Sequence, residues 1–452
     1  MITTATAVSS DVEQLESVLR RIEADPPEQV LARERNTFDD LARPLGKNLV
    51  LFGAGPLGKG ILAGLRKAGV EPLAFADNRL GVDRRKAADN KREDDRRTIQ
   101  GRRRVGDDHL EALTASDNQL NDSSPIIVDS SLPHIMGLPV LSARDAVELY
   151  GQTACFVVTI YQGTAVRQQL KDLGCQRVVP FAPLLWKYAD VFIPQCCLEL
   201  PHRFRDQSAS IRRCYSVLGD ELSKRDIREQ LAWRYWLDFS ALSPPLDAQH
   251  TYFPMDLLSP RTDEVFVDCG SFDGDSIGSF NRHWGGQFRH AFAFEPDPAN
   301  RGALSSNMET MGIADRVTIM PYAVGNMNGQ VSFSCSNSAS SHITDGDLSI
   351  DNALSTIDCR RLDDIDWSVT PTYIKMDIES AEPEAIAGAA ELLRRHQPIL
   401  AICTYHRNEH LWDIPNLIHS ISPDYHIFLR RYAEECWEGV CYAIPKHRLK
   451  RA

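Results

Sequence analysis

The sequence predicts an α/β protein with two separate sheets of the nucleotide-binding kind, and three observations carry that prediction. The run Glu264–Val267 ends in Asp268 and opens a loop holding Gly270 and Gly274, after which a short strand, Ala291–Phe294, ends in Glu295. Nearer the N-terminus, Asn48–Phe52 feeds Gly53-Ala54-Gly55-Pro56-Leu57-Gly58. Leu73–Ala76 then ends in Asp77, an acid about 20 residues beyond the last glycine. Strand-type runs return at Cys155–Ile160, Arg177–Pro180, Thr372–Met376 and Pro398–Cys403, separated by helical stretches. A strand, a glycine turn, a helix and a second strand closed by an acid form half of a nucleotide-binding sheet.

Each segment has its own justification. Residues 1–46 read as a helical segment, because Val12, Leu15, Val18, Leu19 and Ile22, then Val30, Leu31, Phe38 and Leu41, recur at helical spacing around Pro26-Pro27. Residues 47–190 read as a Rossmann-like domain of nucleotide-binding type. It is interrupted at about 80–136 by a stretch rich in Arg, Lys, Asp and Glu and poor in apolar side chains, which reads as an inserted, solvated loop. Residues 191–251 read as a helical linker in which Leu198, Phe204, Ile211, Tyr215, Leu218 and Ile227 keep helical spacing. Trp233-Arg234-Tyr235-Trp236 adds aromatic bulk of the kind that fills a domain interface. Residues 252–446 hold the second, larger sheet.

Composition narrows the function classes. A formal net charge of -12 over 452 residues argues against general affinity for nucleic acid. No apolar run approaches the about 18 residues of a membrane span, and Met1-Ile2-Thr3-Thr4-Ala5 lacks the basic start of a secretory signal. The eleven cysteines are scattered without a Cys-x-x-Cys pair, as expected of free thiols in a cytoplasmic protein. A homo-oligomer is compatible with all of this.

The larger sheet carries the chemistry. Its glycine loop bears Asp268, Asp273 and Asp275 where a pyrophosphate site would need bare N–H groups. Acids at that place suit a cationic ligand, and S-adenosylmethionine has a sulfonium, an ammonium and a ribose whose hydroxyls Glu295 would accept. The fourth strand delivers Asp377 and Glu379, and the fifth delivers Tyr405-His406. On intrinsic pKa His406 is the better general base, with Asp377 orienting the acceptor or holding positive charge. Two carboxylates are a thin metal signature, so no metal is expected. Ser340-Ser341-His342 could form an acceptor loop.

Phe294-Glu295-Pro296-Asp297, Ala323-Val324-Gly325, Ile374-Lys375-Met376-Asp377-Ile378-Glu379-Ser380-Ala381-Glu382 and Tyr442-Ala443-Ile444-Pro445 occur in one order at compact spacing. From roughly Tyr252 to Pro445 the chain resembles the FkbM-type S-adenosylmethionine-dependent methyltransferases. The resemblance implies a seven-stranded sheet, methylation of an oxygen on a sugar, polyketide or similar small molecule, and a cofactor site at Asp268, Gly270, Phe272, Gly274, Asp275, Glu295, Pro296, Asp297 and Ala323. Asp377, Glu379 and His406 are the implied catalytic set. Ser380 stands where that family more often has Gly, which should change a turn and not the chemistry. Residues 47–181 resemble the nucleotide-sugar-binding domain of bacterial sugar acyltransferases through the Gly53–Gly58 loop, Phe75-Ala76-Asp77-Asn78 and Gly137-Leu138-Pro139-Val140-Leu141. Gly53, Gly55, Gly58 and Asp77 would then form a second nucleotide site, with a purely structural domain and an NAD-type site as the other readings. The rival functions are a cofactor-binding scaffold without catalysis and an oxidoreductase using the Gly53–Gly58 loop.

Overall fold

The computed structural model describes residues 2–80, 132–193, 195–334, 342–343 and 354–450. The core of the charged insert, residues 81–131, and Ser340-Ser341 lie outside the described residues. Two compact units divide the chain: Asn36–Val191 is one, and Met1–Arg35 joins Phe192–Ala452 in the other.

The smaller unit holds a six-stranded sheet in the order β3-β4-β2-β1-β5-β6. Its strands are β1 (Leu49–Phe52), β2 (Ala74–Ala76), β3 (His134–Ile135), β4 (Leu138–Leu141), β5 (Cys155–Val158) and β6 (Arg177–Pro180). The pairs β4–β2, β2–β1, β1–β5 and β5–β6 run parallel, and β1, β2 and β5 are buried on both faces, as continuous apolar runs require. The helix Pro56–Lys67 starts with Pro in its first turn and ends on Arg66 and Lys67, both favourable to the helix dipole. A Cβ on Gly58 would stand 1.9 Å from the Gly53 carbonyl oxygen, so helix and loop meet there only because Gly58 has no side chain.

The larger unit is built on a seven-stranded sheet in the order β16-β17-β15-β14-β7-β8-β9. These are β7 (Val265–Cys269), β8 (His290–Phe294), β9 (Val317–Met320), β14 (Tyr373–Met376), β15 (Ile399–Cys403), β16 (Tyr425–Arg431) and β17 (Gly439–Pro445). β17 is antiparallel to both neighbours, while β14, β15, β7, β8 and β9 form parallel pairs. The chain lays down β7, β8 and β9 outward, then returns to place β14 on the other side of β7. The order therefore switches between β7 and β14, the place where open parallel sheets take ligands. Alternation along β7 sends Val265, Val267 and Cys269 into one core and Phe266 into the other. A small four-stranded sheet, β10 (Ala323–Val324), β11 (Gly329–Ser334), β12 (His342–Ile343) and β13 (Leu354–Arg360), lies between β9 and β14 in sequence.

The helical N-terminal segment and the helical linker both contribute to this unit's core. Leu15, Leu19 and Ile22 of the helix Ile2–Ala24 are buried with Ile211, Tyr215, Leu231 and Tyr235 of the helices Ser208–Val217 and Glu221–Trp236. The aromatic cluster joins the segment read as a linker to the region of the larger sheet. Trp233 meets Trp437 and Phe239 edge to face, and Tyr235 meets Phe204. At the amino end of the sheet, Arg448 donates to Glu264 at 2.6 and 3.1 Å, and Thr372 Oγ1 donates to the same carboxylate at 2.5 Å. Both Arg448 and Glu264 are buried. Among the described residues no helix is long and apolar enough to cross a membrane, and the ten described cysteines are free thiols.

Candidate functional site

Strand ends bring the chemistry to the carboxyl edge of the larger sheet. At the end of β7, Asp268 is fully buried and sits 2.9 Å from Lys375 Nζ, which also donates to the Gly270 carbonyl at 2.8 Å. Burial pushes Asp268 up to about 6 against the pull of Lys375. This acid therefore supports the loop from behind and does not face a ligand, a correction to its expected role. Gly270 has φ +79°, and a Cβ there would stand 2.0 Å from the Asp377 carbonyl oxygen. Gly274 has φ +88°, and its Cβ would overlap Met308 and Leu304. The demand for glycine comes here from protein packing.

Glu295, at the end of β8, is nearly covered. Its Oε2 accepts from Phe272 N at 2.9 Å, and its Oε1 accepts from Asp297 N at 2.8 Å and Asn300 Nδ2 at 3.3 Å. Of about four lone-pair sites on a carboxylate, one on Oε2 stays open. One hydroxyl could use it, not the two expected. Asp297 caps the helix Pro298–Thr310 through Ala299 N at 2.8 Å. Pro296 offers its carbonyl to Arg301 at 2.6 Å, and Ala323 is buried in β10. Asp275 is exposed and opens the helix Asp275–His283.

Beyond β14 and β15 the acids and His406 do meet. His406 Nδ1 lies 2.9 Å from Glu382 Oε1, and its Nε2 lies 3.2 Å from Asp377 Oδ1 and 3.7 Å from Glu379 Oε2. Tyr252 donates its hydroxyl to Asp377 Oδ2 at 2.7 Å, and Tyr405 donates to Oδ1 at 3.2 Å. Burial alone would lower His406, but Glu382 and Asp377 overcome it and raise it well above the ordinary histidine range. Burial forces His410, 3.4 Å from the other Glu382 oxygen, down to about 4. Glu382 thus neutralises one imidazolium and leaves its neighbour uncharged. The two flanking carboxylates favour the protonated ring, which weighs against the expected role of His406 as general base. Burial raises Glu379 to about 7 despite His406 nearby, and the same cause raises Glu438 to about 7. Asp377 would be raised by burial, but His406 and Lys375 hold it well below the usual carboxylate range. The Asp377 and Glu379 side chains stay 23% and 28% exposed, while His406 is at 2%. Only the carboxylates can reach a ligand.

Asp377, Glu382 and His406 bring potential ligand atoms within 4.8 Å of one another. His406 Nδ1 is hydrogen-bonded to Glu382 Oε1, while His406 Nε2 and Glu382 Oε2 are buried without a hydrogen-bond partner among the described residues. Sequence reasoning missed Tyr252 and Glu438. Glu379 and Ser380 both adopt positive φ, +53° and +88°. Ser380 therefore holds the backbone geometry that glycine takes without strain. Beside the site, Tyr252, Asp275, Ser276, Ser279, Arg282 and His283 border a cleft of about 460 Å³.

In the smaller unit, Gly53, Gly55, Asp77, Arg79, Thr159 and Tyr161 border a cavity of about 440 Å³ at the carboxyl ends of β1, β2 and β5. Asp77 accepts from Ala54 N at 3.1 Å and from Arg79 Nε and Nη2 at 2.9 and 2.7 Å. A Cβ on Gly55 would meet nothing within 4 Å.

Residues 268–436 match the methyltransferase FkbM domain. Over 163 residues the chain is 30% identical to 2-O-methyltransferase NoeI of Sinorhizobium fredii, a match covering 30% of this chain and 62% of that relative. The crystal structure of methyltransferase FkbM from Methylobacillus flagellatus shares the fold with a TM-score of 0.62 at 20% identity, covering 96% of this chain and 98% of that one.

Proposed function

We propose that the protein transfers a methyl group from S-adenosylmethionine to a hydroxyl of a small molecule, a sugar or nucleotide-linked sugar. The observation that carries this reading is the alignment of three neighbouring strands, β8, β7 and β14, which end in Glu295, the Gly270 loop and Asp377 at one edge. When bound, the cofactor supplies an electrophilic methyl group on a sulfonium. The residues present fit such a cation: Asp275, Glu295, Asp377 and Glu379 are all acids, and the open lone pair of Glu295 suits a ribose hydroxyl. Glu379 takes the acceptor's proton, because a carboxyl raised to about 7 is half ionised near neutral pH and basic enough to act. Asp377 stays ionised and holds positive charge. The buried His406 imidazolium bridges both carboxylates and fixes their positions. Alignment of acceptor oxygen and methyl carbon provides most of the rate in an in-line displacement. The similarity to a Sinorhizobium 2-O-methyltransferase supports oxygen as the atom methylated.

The test is transfer of tritiated methyl from S-adenosylmethionine to sugars and nucleotide sugars, with cofactor binding followed by calorimetry. Binding without transfer to any acceptor would leave a scaffold, and absence of binding would remove the reading altogether. Turnover should persist in EDTA. Its loss, with recovery on adding a divalent ion, would turn Asp377, Glu382 and His406 into metal ligands. A second reading concerns the smaller unit, whose open cavity at Gly55 supports a nucleotide or nucleotide-sugar site distinct from the methyl-transfer site.

A further inference from the structure

The helix Asp275–His283 turns Ile277 and Phe280 into the core, so a polar stripe is left along its other side. Asp275, Ser276, Ser279, Arg282 and His283 form that stripe and line one wall of the 460 Å³ cleft, with Gln249, Thr251 and Tyr252 opposite. Spacing of three and four residues puts them on one face. The cleft is continuous with the reaction site through Tyr252, whose hydroxyl is bonded to Asp377. Its two ends differ in sign. Asp275 stands at one end, and Arg282 stands seven residues along the helix, about 10 Å away at 1.5 Å per residue. His283 Nδ1 donates to the Ser279 carbonyl at 2.9 Å, so in the neutral ring its Nε2 accepts from His250 Nδ1 at 3.3 Å. That ring has no spare donor. Arg282 is exposed, and among the described residues its guanidinium has no hydrogen-bond or ion-pair partner. Arg261 and Arg316 of the same unit have theirs, on Asp263 and on the Gly286 and Phe288 carbonyls.

Resting on the methyl-transfer reading, we propose that this cleft holds the acceptor and that the acceptor carries a phosphate, recognised by Arg282. A cationic cofactor beside Asp275 and an anion beside Arg282 complement the two ends. The hydroxyl to be methylated then lies towards Asp377 and Glu379, and the phosphate lies two helical turns away. Ser279 offers a hydroxyl to a polyhydroxylated ring, and Thr251 and Gln249, whose donors are held by the Ala248 carbonyl and Asp247, offer acceptor oxygens. A guanidinium grips a phosphate through two parallel N–H donors, which a lysine cannot reproduce. The phosphate could belong to a sugar phosphate or to a nucleotide diphosphate sugar.

Calorimetry on the full chain, with and without S-adenosylhomocysteine, tests this using glucose, inorganic phosphate, glucose 1-phosphate and UDP-glucose as probes. Glucose 1-phosphate or UDP-glucose should bind more tightly than glucose, and the tighter of the two identifies the source of the phosphate. Arg282→Ala should reduce that advantage roughly two- to fivefold, as befits an exposed ion pair, and Arg282→Lys should restore only part of it. Affinity for S-adenosylhomocysteine reports that each variant is folded. Bound S-adenosylhomocysteine with no phosphate binding, or phosphate binding equal in wild type and Arg282→Ala, overturns the proposal and leaves the methyltransferase reading standing. Phosphate binding that depends on Arg282 in a protein with no affinity for S-adenosylhomocysteine does the reverse.

Discussion

The two glycine turns of this chain, Gly53–Gly58 and Gly270–Gly274, follow buried parallel strands and precede helices, and each sheet places an acid on the next strand. Their surroundings differ. Asp77 is closed by the Arg79 guanidinium, whereas Glu295 ties down two backbone N–H groups of its own loops and keeps one lone pair open. Across the switch point the contrast is greater. β14 and β15 bring Asp377, Glu379, Tyr405 and His406 to the larger site, while β5 brings Thr159, Ile160 and Tyr161 to the smaller one. A glycine turn marks where a ligand can approach a backbone. What happens to the ligand is decided by the strand on the far side of the switch.

The comparison breaks most sharply at Glu379. Glu379→Gln should lower methyl transfer about 10²–10⁴-fold while S-adenosylhomocysteine affinity stays within a few-fold, by calorimetry. The base must be ionised, so wild-type kcat should rise with pH through a midpoint of about 7, where burial has raised Glu379. Glu438, raised to the same value, should be separable because Glu438→Gln keeps that limb. A rise centred near 4 would return the base role to another group. Next in size, Glu295→Gln should weaken cofactor binding roughly tenfold through loss of a charge-assisted hydrogen bond. Asp77→Asn should leave cofactor binding unchanged, and equal losses from the two substitutions would mean the sites are not distinct.

The smaller sheet can be probed through its glycines. Gly55→Val should leave the melting temperature unchanged, since the new side chain enters open space. Gly58→Ala should destabilise, because its Cβ would overlap the Gly53 carbonyl oxygen. If the cavity takes a nucleotide, a nucleotide or nucleotide sugar should raise the melting temperature of the full chain and lose that effect in Gly55→Val. The smallest effect belongs to Ser380→Gly. Relief of a positive φ should stabilise by up to about 1 kcal/mol in denaturant unfolding, with turnover unchanged.

Much of this architecture was legible because it is local. β1, β2, β7 and β8 announce themselves as apolar runs ending at glycine or an acid, and the motif spacing brings Asp377, Glu379 and His406 to one edge, where they meet. Features that depend on contacts far apart in sequence were not legible. Tyr252 reaches Asp377 across 125 residues with no periodic signal, and Glu438 sits in a turn before β17. The surroundings of His406 were hidden for the same reason, since its intrinsic pKa carries no trace of Glu382 and Asp377 packed against it. The partners of the Trp233 cluster were hidden for a related reason. Aromatic bulk on a helix signals burial, but it does not say against what.

The buried pair of Glu264 and Arg448 gives the larger unit a constraint in time as well as in space. Glu264 opens the first strand of the seven-stranded sheet, and its counter-charge lies 184 residues further along. During synthesis that carboxylate has no guanidinium to meet until the ribosome has passed Arg448, and an unpaired buried charge costs about 3–5 kcal/mol. The glycine loop and Glu295 therefore emerge long before the sheet beneath them can close. A nascent chain stalled short of Arg448 would carry every candidate site residue and still lack the frame that aligns them.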